Sequence, residues 1–268
     1  MRILFLGDII GLSGCKAITQ HLPKVIKKNK IDFVIVNGEN SAEKGMGITE
    51  KIANTLFESG VNVITSGNHI WHQKETATHI KKENRLLRPY NLYSPAPGKG
   101  FMIYVLDNGY KIGVLNLMGN MFMKKSKNVF TVAKKFLEKN ILKKDYDFLV
   151  LDFHAETSSE KMAMGHFFDS KATLVVGTHT HVPTNDARIL ENGTAYQTDA
   201  GMTGNYNSVM GFDKNIFIKK FLKEDAKNNF PKSDNISLCG IIVDADLNTG
   251  LAKNIKNFIY GGELKNSY

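Results

Sequence analysis

Five times along this chain a short apolar run stops at a group of polar residues, and that recurrence constrains the fold more than any other feature. Arg2–Leu6 leads into Gly7-Asp8, the run from Asp32 to Val36 into Asn37-Gly38-Glu39-Asn40, and Val61–Thr65 into Gly67-Asn68-His69. Later, Phe148–Phe153 leads into His154-Ala155-Glu156, and Ala172–Val176 into Gly177-Thr178-His179-Thr180-His181. Short runs rich in β-branched residues and bounded by glycine read as buried strands that deliver their last residues to loops. Between the early runs lie helical patterns: Ile18, Leu22, Val25 and Ile26 within Gly14–Lys28, then Ile52, Ala53, Leu56 and Phe57 behind a Thr49 N-cap, then a helix beginning near Gln73. Strands that alternate with helices and carry their polar residues at the strand's end predict an α/β fold with a largely parallel sheet.

The middle of the chain changes character. Pro89, Pro95 and Pro97 with Gly98 and Gly100 mark a long loop, and Phe101–Leu106 and Tyr110–Leu117 across Asp107-Asn108-Gly109 read as a hairpin, which predicts a second sheet with antiparallel strands. A basic amphipathic helix is expected over Val129–Leu142, and another, capped by Ser158 or Ser159, through Phe168. A hairpin of Ala187–Leu190 and Thr194–Thr198, a helix near Asp213–Lys223, and long strands Leu238–Val243 and Leu251–Tyr260 complete the pattern. No repeat or linker interrupts residues 1–268, and a layered α/β chain of this length is expected to form one domain.

The strand ends collect Asp8, Glu39, Asn40, Asn68, His69, His154, His179 and His181. All are residue types that bind hard or borderline divalent metals through oxygen or imidazole nitrogen. If the chain stays extended past Val176, His179 and His181 point the same way, as i and i+2 residues do. Any one of these residues is accounted for as a strand-end cap, a loop acid or a satisfied histidine. Their arrival together at successive strand ends is better explained by one site for two metal ions, which needs a bridging carboxylate and several terminal ligands.

These same segments, together with Asp152-Phe153-His154-Ala155-Glu156 and the stretch from Gly193 to Gly204, resemble the calcineurin-like metallophosphoesterases, and more closely the bacterial YmdB family of cyclic-nucleotide phosphodiesterases, nearly end to end. The resemblance implies a four-layer α/β/β/α sandwich and a centre of two iron or manganese ions. It implies hydrolysis of phosphodiesters, with 2′,3′-cyclic nucleotides favoured. It further implies that one metal is held by Asp8, Glu39, Asn40 and His181, the other by Glu39, Asn68, His154 and His179, with Glu39 bridging. The wider superfamily has a histidine two residues after its first aspartate, whereas this chain reads Asp8-Ile9-Ile10; as in the closer family, Asn40 would fill that place. His72 stands where the closer family usually has aspartate after tryptophan, and reads as a surface histidine or one that backs the ligands rather than as a ligand. His69, spare in the ligand count, is the natural general acid for the leaving sugar oxygen.

The net charge of +9 favours polyanionic partners, but the lysines are scattered at helical spacing and no RNA-binding motif with stacking aromatics accompanies them, so RNA contact is a minor expectation. Two cysteines in no paired motif, an opening run interrupted by Asp8 and no long apolar stretch fit a cytoplasmic protein without membrane spans. A phosphomonoesterase on the same metal pair and a regulatory RNA- or protein-binding protein with secondary hydrolysis are the rival functions. The physiological substrate, native metal and oligomeric state, homo-oligomer included, are open at this level.

Overall fold

The structure is a computed structural model that describes residues 1–227, 229–231 and 235–266. In chain order its first half comprises β1 (Arg2–Leu6), β2 (Asp8–Ile9), α1 (Gly11–Asn29), β3 (Phe33–Asn37), α2 (Glu50–Glu58), β4 (Val63–Thr65), α3 (Thr76–His79), β5 (Phe101–Val105) and β6 (Lys111–Met118). Then come α4 (Val129–Leu137), β7 (Phe148–His154), α5 (Ser158–Phe167), β8 (Leu174–Thr178), β9 (Arg188–Ile189), β10 (Ala195–Gln197), β11 (Met202–Thr203), α6 (Lys214–Phe221), β12 (Leu238–Ala245) and β13 (Ala252–Tyr260).

One sheet has the order β13-β12-β1-β3-β4 and the other β5-β6-β7-β8-β10-β9. Both are mixed: β1, β3 and β4 run parallel, as do β6, β7, β8 and β10, while β12, β13, β5 and β9 join antiparallel. Alternation along each strand sorts side chains into layers. Ile3, Phe5, Ile35, Val114, Val150 and Val176 share one buried cluster between the two sheets. Leu4, Leu6, Val34 and Val36 instead pack outward on Ile18 and Leu22 of α1 and Leu56 of α2. On the far side, Leu149, Leu151 and Val175 pack on Phe136 of α4 and Met164 of α5. Helices, sheet, sheet, helices is the four-layer sandwich expected. Each fully buried Leu, Ile, Val or Phe in these layers contributes roughly 1.5–3 kcal/mol.

Several boundaries differ from the sequence expectation. The helix α1 starts at Gly11 rather than Gly14, and the helix expected near Gln73 is a single turn. The helix expected to Leu142 stops at Leu137, because the Asn140 side chain takes the Phe136 carbonyl and Asp145 takes the Ile141 N–H, drawing the chain into a turn. Thr157, not Ser158 or Ser159, caps α5 by accepting from the Glu160 N–H. The parallel pair of β2 and β11 has no counterpart in the sequence expectation, since two-residue strands carry no periodicity. Among the described residues no helix is long and apolar enough to cross a membrane.

Candidate metal centre

The parallel strands point their C-terminal ends at one edge of the sandwich, and the polar residues of the five runs meet there. Asp8 opens β2 straight after β1, Glu39 and Asn40 follow β3, and Asn68 and His69 lie in a turn two residues beyond β4. His154 is the last residue of β7, and His179 follows β8. Asp8, Glu39, Asn40, His154 and His181 are buried, and Asn68, His69 and His179 partly so.

The centre of the group is the Nε2 atom of His154. Around it lie Glu39 Oε1 at 2.9 Å, His179 Nδ1 at 3.0 Å and Asn68 Oδ1 at 3.1 Å. The other ring nitrogen fixes the tautomer. Thr178 Oγ1 gives its only proton to Asp152 Oδ1 at 2.7 Å, so at 2.9 Å it accepts from His154 Nδ1–H, and when the ring is neutral its lone pair lies at Nε2. His179 is set likewise: its Nε2 lies 3.0 Å from Glu156 Oε2, which turns Nδ1 inward. Two carboxylate or amide oxygens and two imidazole nitrogens thus converge with almost no protons to share, an arrangement that a cation satisfies.

Asp8 stands beside this group, with Oδ1 3.8 Å from His154 Nδ1 and Oδ2 accepting from the His179 N–H at 3.0 Å. Its Oδ1 is buried with no hydrogen-bond partner, and so is Asn40 Oδ1, whose amide nitrogen donates to the Gly45 carbonyl at 2.8 Å. An orphaned buried oxygen costs about 1–3 kcal/mol, so two of them beside the acceptors around His154 fit the chemistry of a cation site. His181 does not join the contact group. Its Nδ1–H donates to the Met210 carbonyl at 3.2 Å, which leaves the ring's lone pair at Nε2. Glu39, Asn68, His154 and His179 thus make up the contact group, and neither Asn40 nor His181 is part of it.

The electrostatics agree. Burial disfavours the His154 charge, but Glu39 and then Asp8 outweigh it and hold the ring up at about 9. Burial likewise opposes the Glu39 charge, and His154 overcomes it, keeping the carboxyl down at about 2. Burial pushes Asp8 well above the ordinary carboxylate range, with the nearby Glu39 adding to the rise. Burial, then His154, pushes His179 down to about 3. Two buried carboxyl groups thus face the one His154 ring, and a cation bound there would offset their charge with the ring neutral.

The extended geometry expected of His179 and His181 is wrong. The strand ends at Thr178, and both histidines adopt left-handed backbone with φ of 102° and 64°. Such strain costs roughly 1–3 kcal/mol per residue and persists where the surroundings impose it. Here Thr180, between them, donates its N–H and hydroxyl to Asp199, whose carboxylate also takes Lys161 Nζ at 2.6 Å. That ion pair is fully buried, so removing one partner alone costs about 3–5 kcal/mol. Asn68 and His69 occupy consecutive positions of the turn closed by the Ile70 N–H and the Gly67 carbonyl rather than an extended segment. Their side chains diverge all the same: Asn68 meets His154, while the His69 ring packs on His72, centroids 4.6 Å apart.

Supporting residues escape sequence reasoning. Asp152, buried within β7, accepts from Asn37, Thr65 and Thr178 and so ties three strand ends together. An acid inside an apolar run is the one available signal. Glu156 stands in the polar group after its strand and Asp199 in the stretch from Gly193 to Gly204, but nothing in the sequence pairs them with His179 and Lys161. Gly67 reads in the sequence only as a turn residue, yet a Cβ there would fall on the His154 imidazole and Glu39 Oε2. Gly67→Ala is accordingly expected to leave a folded protein that retains less than about a tenth of the wild-type metal. Metal analysis beside circular dichroism checks this, and normal metal content would contradict the crowding.

The chain is similar to known proteins over nearly its full length. The family model described as YmdB-like protein matches residues 4–258. A Bacillus subtilis (strain 168) protein named 2′,3′-cyclic-nucleotide 2′-phosphodiesterase is 42% identical over 264 residues, 97% of each chain. Among solved structures, one described as a novel phosphatase from Mycoplasma pneumoniae superposes with a TM-score of 0.90 at 34% identity, covering 98% of this chain and 94% of its own. A hypothetical protein from Thermus thermophilus gives 0.88 at 34% identity, covering 98% and 100%.

Proposed function

The chain belongs to the YmdB-like protein family, and from that premise we propose that it hydrolyses 2′,3′-cyclic nucleotides at a centre of two metal ions, iron or manganese. The observation that carries this reading is the convergence of Glu39, Asn68 and His179 on His154 Nε2 beside the orphaned oxygens of Asp8 and Asn40. Asp8, Glu39, Asn40 and His181 would hold one ion, and Glu39, Asn68, His154 and His179 the other. Two bound cations would supply the charge that acidifies an attacking water and offsets the phosphoryl oxygens. The rest is done by the chain. Asp152, Thr178 and Glu156 keep the imidazoles turned inward. The His69 N–H holds Glu39 Oε2 at 3.0 Å, leaving the ring free to meet the leaving group. A bond forms between the water oxygen and phosphorus as the bond from phosphorus to O2′ breaks, and His69 gives O2′ its proton. The product is a nucleoside 3′-phosphate.

Residues 1–268 are taken to act as one unit, in a reducing cytoplasm that accords with the unbridged Cys15 and Cys239. The test is hydrolysis of a 2′,3′-cyclic nucleotide, a 3′,5′-cyclic nucleotide and a phosphomonoester by protein freed of metal anaerobically and then reloaded. Chelated protein should be inactive, with iron or manganese restoring activity and the 2′,3′-cyclic ester preferred. A preference for the phosphomonoester would favour the rival enzyme, and full activity after exhaustive chelation would defeat the metal mechanism.

A further inference from the structure

The turn that presents Asn68 and His69 to the metal centre is also one wall of a cleft of about 500 Å³. That is within the roughly 300–1,000 Å³ typical of ligand sites. Asn68 lines both, so the cleft opens directly onto the centre. The facing wall comes from the loop after β6, tied across by Lys124 Nζ donating to the Asn68 carbonyl at 2.9 Å.

The lining has an unusual composition. It exposes the aromatic faces of Trp71 and Tyr93, 38% and 59% accessible, and the cations of Lys74, Lys124 and Lys125, and it includes no aspartate or glutamate. Among the described residues none of these lysines has a carboxylate partner. On the same loop Phe122 is 86% exposed in a left-handed backbone conformation, φ 59°. Flat aromatic faces beside lysines without a carboxylate partner are how proteins hold single-stranded nucleic acid: bases stack and phosphates pair. A second cleft, about 680 Å³ and lined by Phe212 and Phe230, includes Glu43 and none of the metal-centre residues.

A cyclic mononucleotide cannot use what the cleft offers. It carries one phosphate, which the metal centre takes, and its ribose must lie toward His69 for O2′ to be protonated. The lysines beyond that point then have no anion. We propose that the cleft is a subsite for the nucleotides preceding the cyclic phosphate, and that the substrate class is single-stranded RNA ending in a 2′,3′-cyclic phosphate. The inference rests on the phosphodiesterase reading and extends it. The terminal phosphate sits at the strand ends, the chain runs back over the turn, one base stacks on Trp71 or Tyr93, and an internucleotide phosphate meets Lys124 or Lys125. The chemistry balances as before: water adds to phosphorus, O2′ leaves with a proton, and the RNA ends in a 3′-phosphate.

The test compares kcat/KM of the metal-loaded enzyme for a cyclic mononucleotide and for an RNA trinucleotide carrying the same 2′,3′-cyclic end. The trinucleotide should be favoured by roughly 10–100-fold, the order that stacking of a base on an aromatic ring provides, and the advantage should shrink as salt rises. Tyr93→Ala, Trp71→Ala and the pair Lys124→Ala with Lys125→Ala should each draw the ratio toward one. Trp71 is the chain's one tryptophan, so its fluorescence reports occupancy without turnover. Titrating a trinucleotide 3′-phosphate into chelated wild-type protein should quench it, and the lysine pair variant should need a higher concentration. Equal efficiency on the two substrates, a preference untouched by all three changes, or no quenching would overturn the subsite. Quenching with no hydrolysis of either substrate would instead refute the proposed function and leave the RNA cleft standing.

Discussion

Glu39→Gln is expected to lower hydrolysis of a 2′,3′-cyclic nucleotide by at least about 10³-fold while the protein remains folded. The substitution preserves shape at a site only 1% exposed, so packing is not what changes. What changes is charge. Oε1 is 2.9 Å from His154 Nε2 and Oε2 accepts the His69 N–H at 3.0 Å, so Glu39 is the carboxylate facing both the imidazole cluster and the substrate side. A glutamine presents one neutral oxygen in place of two anionic ones, and its amide protons would point either at the place a cation would take or at the His69 N–H, itself a donor. Charge stabilisation by bound metal is worth several kcal/mol, and each 1.36 kcal/mol is tenfold in rate, which sets the scale of the loss. His72→Ala is the comparison. His72 is exposed and touches only the His69 ring and carbonyl among these residues, so its loss should cost less than about tenfold. Steady-state kinetics with metal analysis of both variants would decide, and similar losses in the two would count against Glu39 as the bridge.

What is legible in the sequence is whatever is encoded locally. Ile3 to Leu6, Phe33 to Val36 and Leu149 to Phe153 declare themselves as strands because nearly every residue is apolar, as strands buried on both faces require. The polar residues after them are legible for the same reason: a parallel sheet must put its strand ends together, so Glu39 and His154, 115 positions apart, are bound to approach. The left-handed bend at His179 and His181 is not legible, since neither residue is glycine and the constraint comes from Asp199 and Lys161. Nor is the reason for Gly67. A glycine before Asn68 reads as a turn, whereas the structure has an imidazole from another strand occupying the place of its missing Cβ. The cleft beside Trp71 joins segments near residues 70, 93 and 124, and no local pattern links them.

His69→Ala is expected to lower kcat for the cyclic nucleotide by about 10²–10⁴-fold with both metal ions retained. The contact that His69 makes with Glu39 is through its backbone N–H, which alanine keeps, so the substitution removes the ring without releasing the carboxylate. The ring itself is half-buried and makes no contact with the cluster around His154 Nε2; its neighbour is His72, whose Nδ1 lies 3.1 Å from the His69 carbonyl and 3.3 Å from His69 Nδ1. With His72 Nδ1–H donating toward both, the transferable proton of His69 resides on Nε2, the ring atom away from His72. A proton donor matters in proportion to the basicity of the oxygen that leaves. The loss should therefore be large for a ribose O2′ and small for a nitrophenyl ester, whose leaving oxygen departs as a stable anion. A ring that only ordered the loop before Trp71 would lower stability and spare turnover in the folded fraction. If His69→Ala strips a metal, or slows both esters equally, the group that protonates the leaving oxygen must be sought elsewhere.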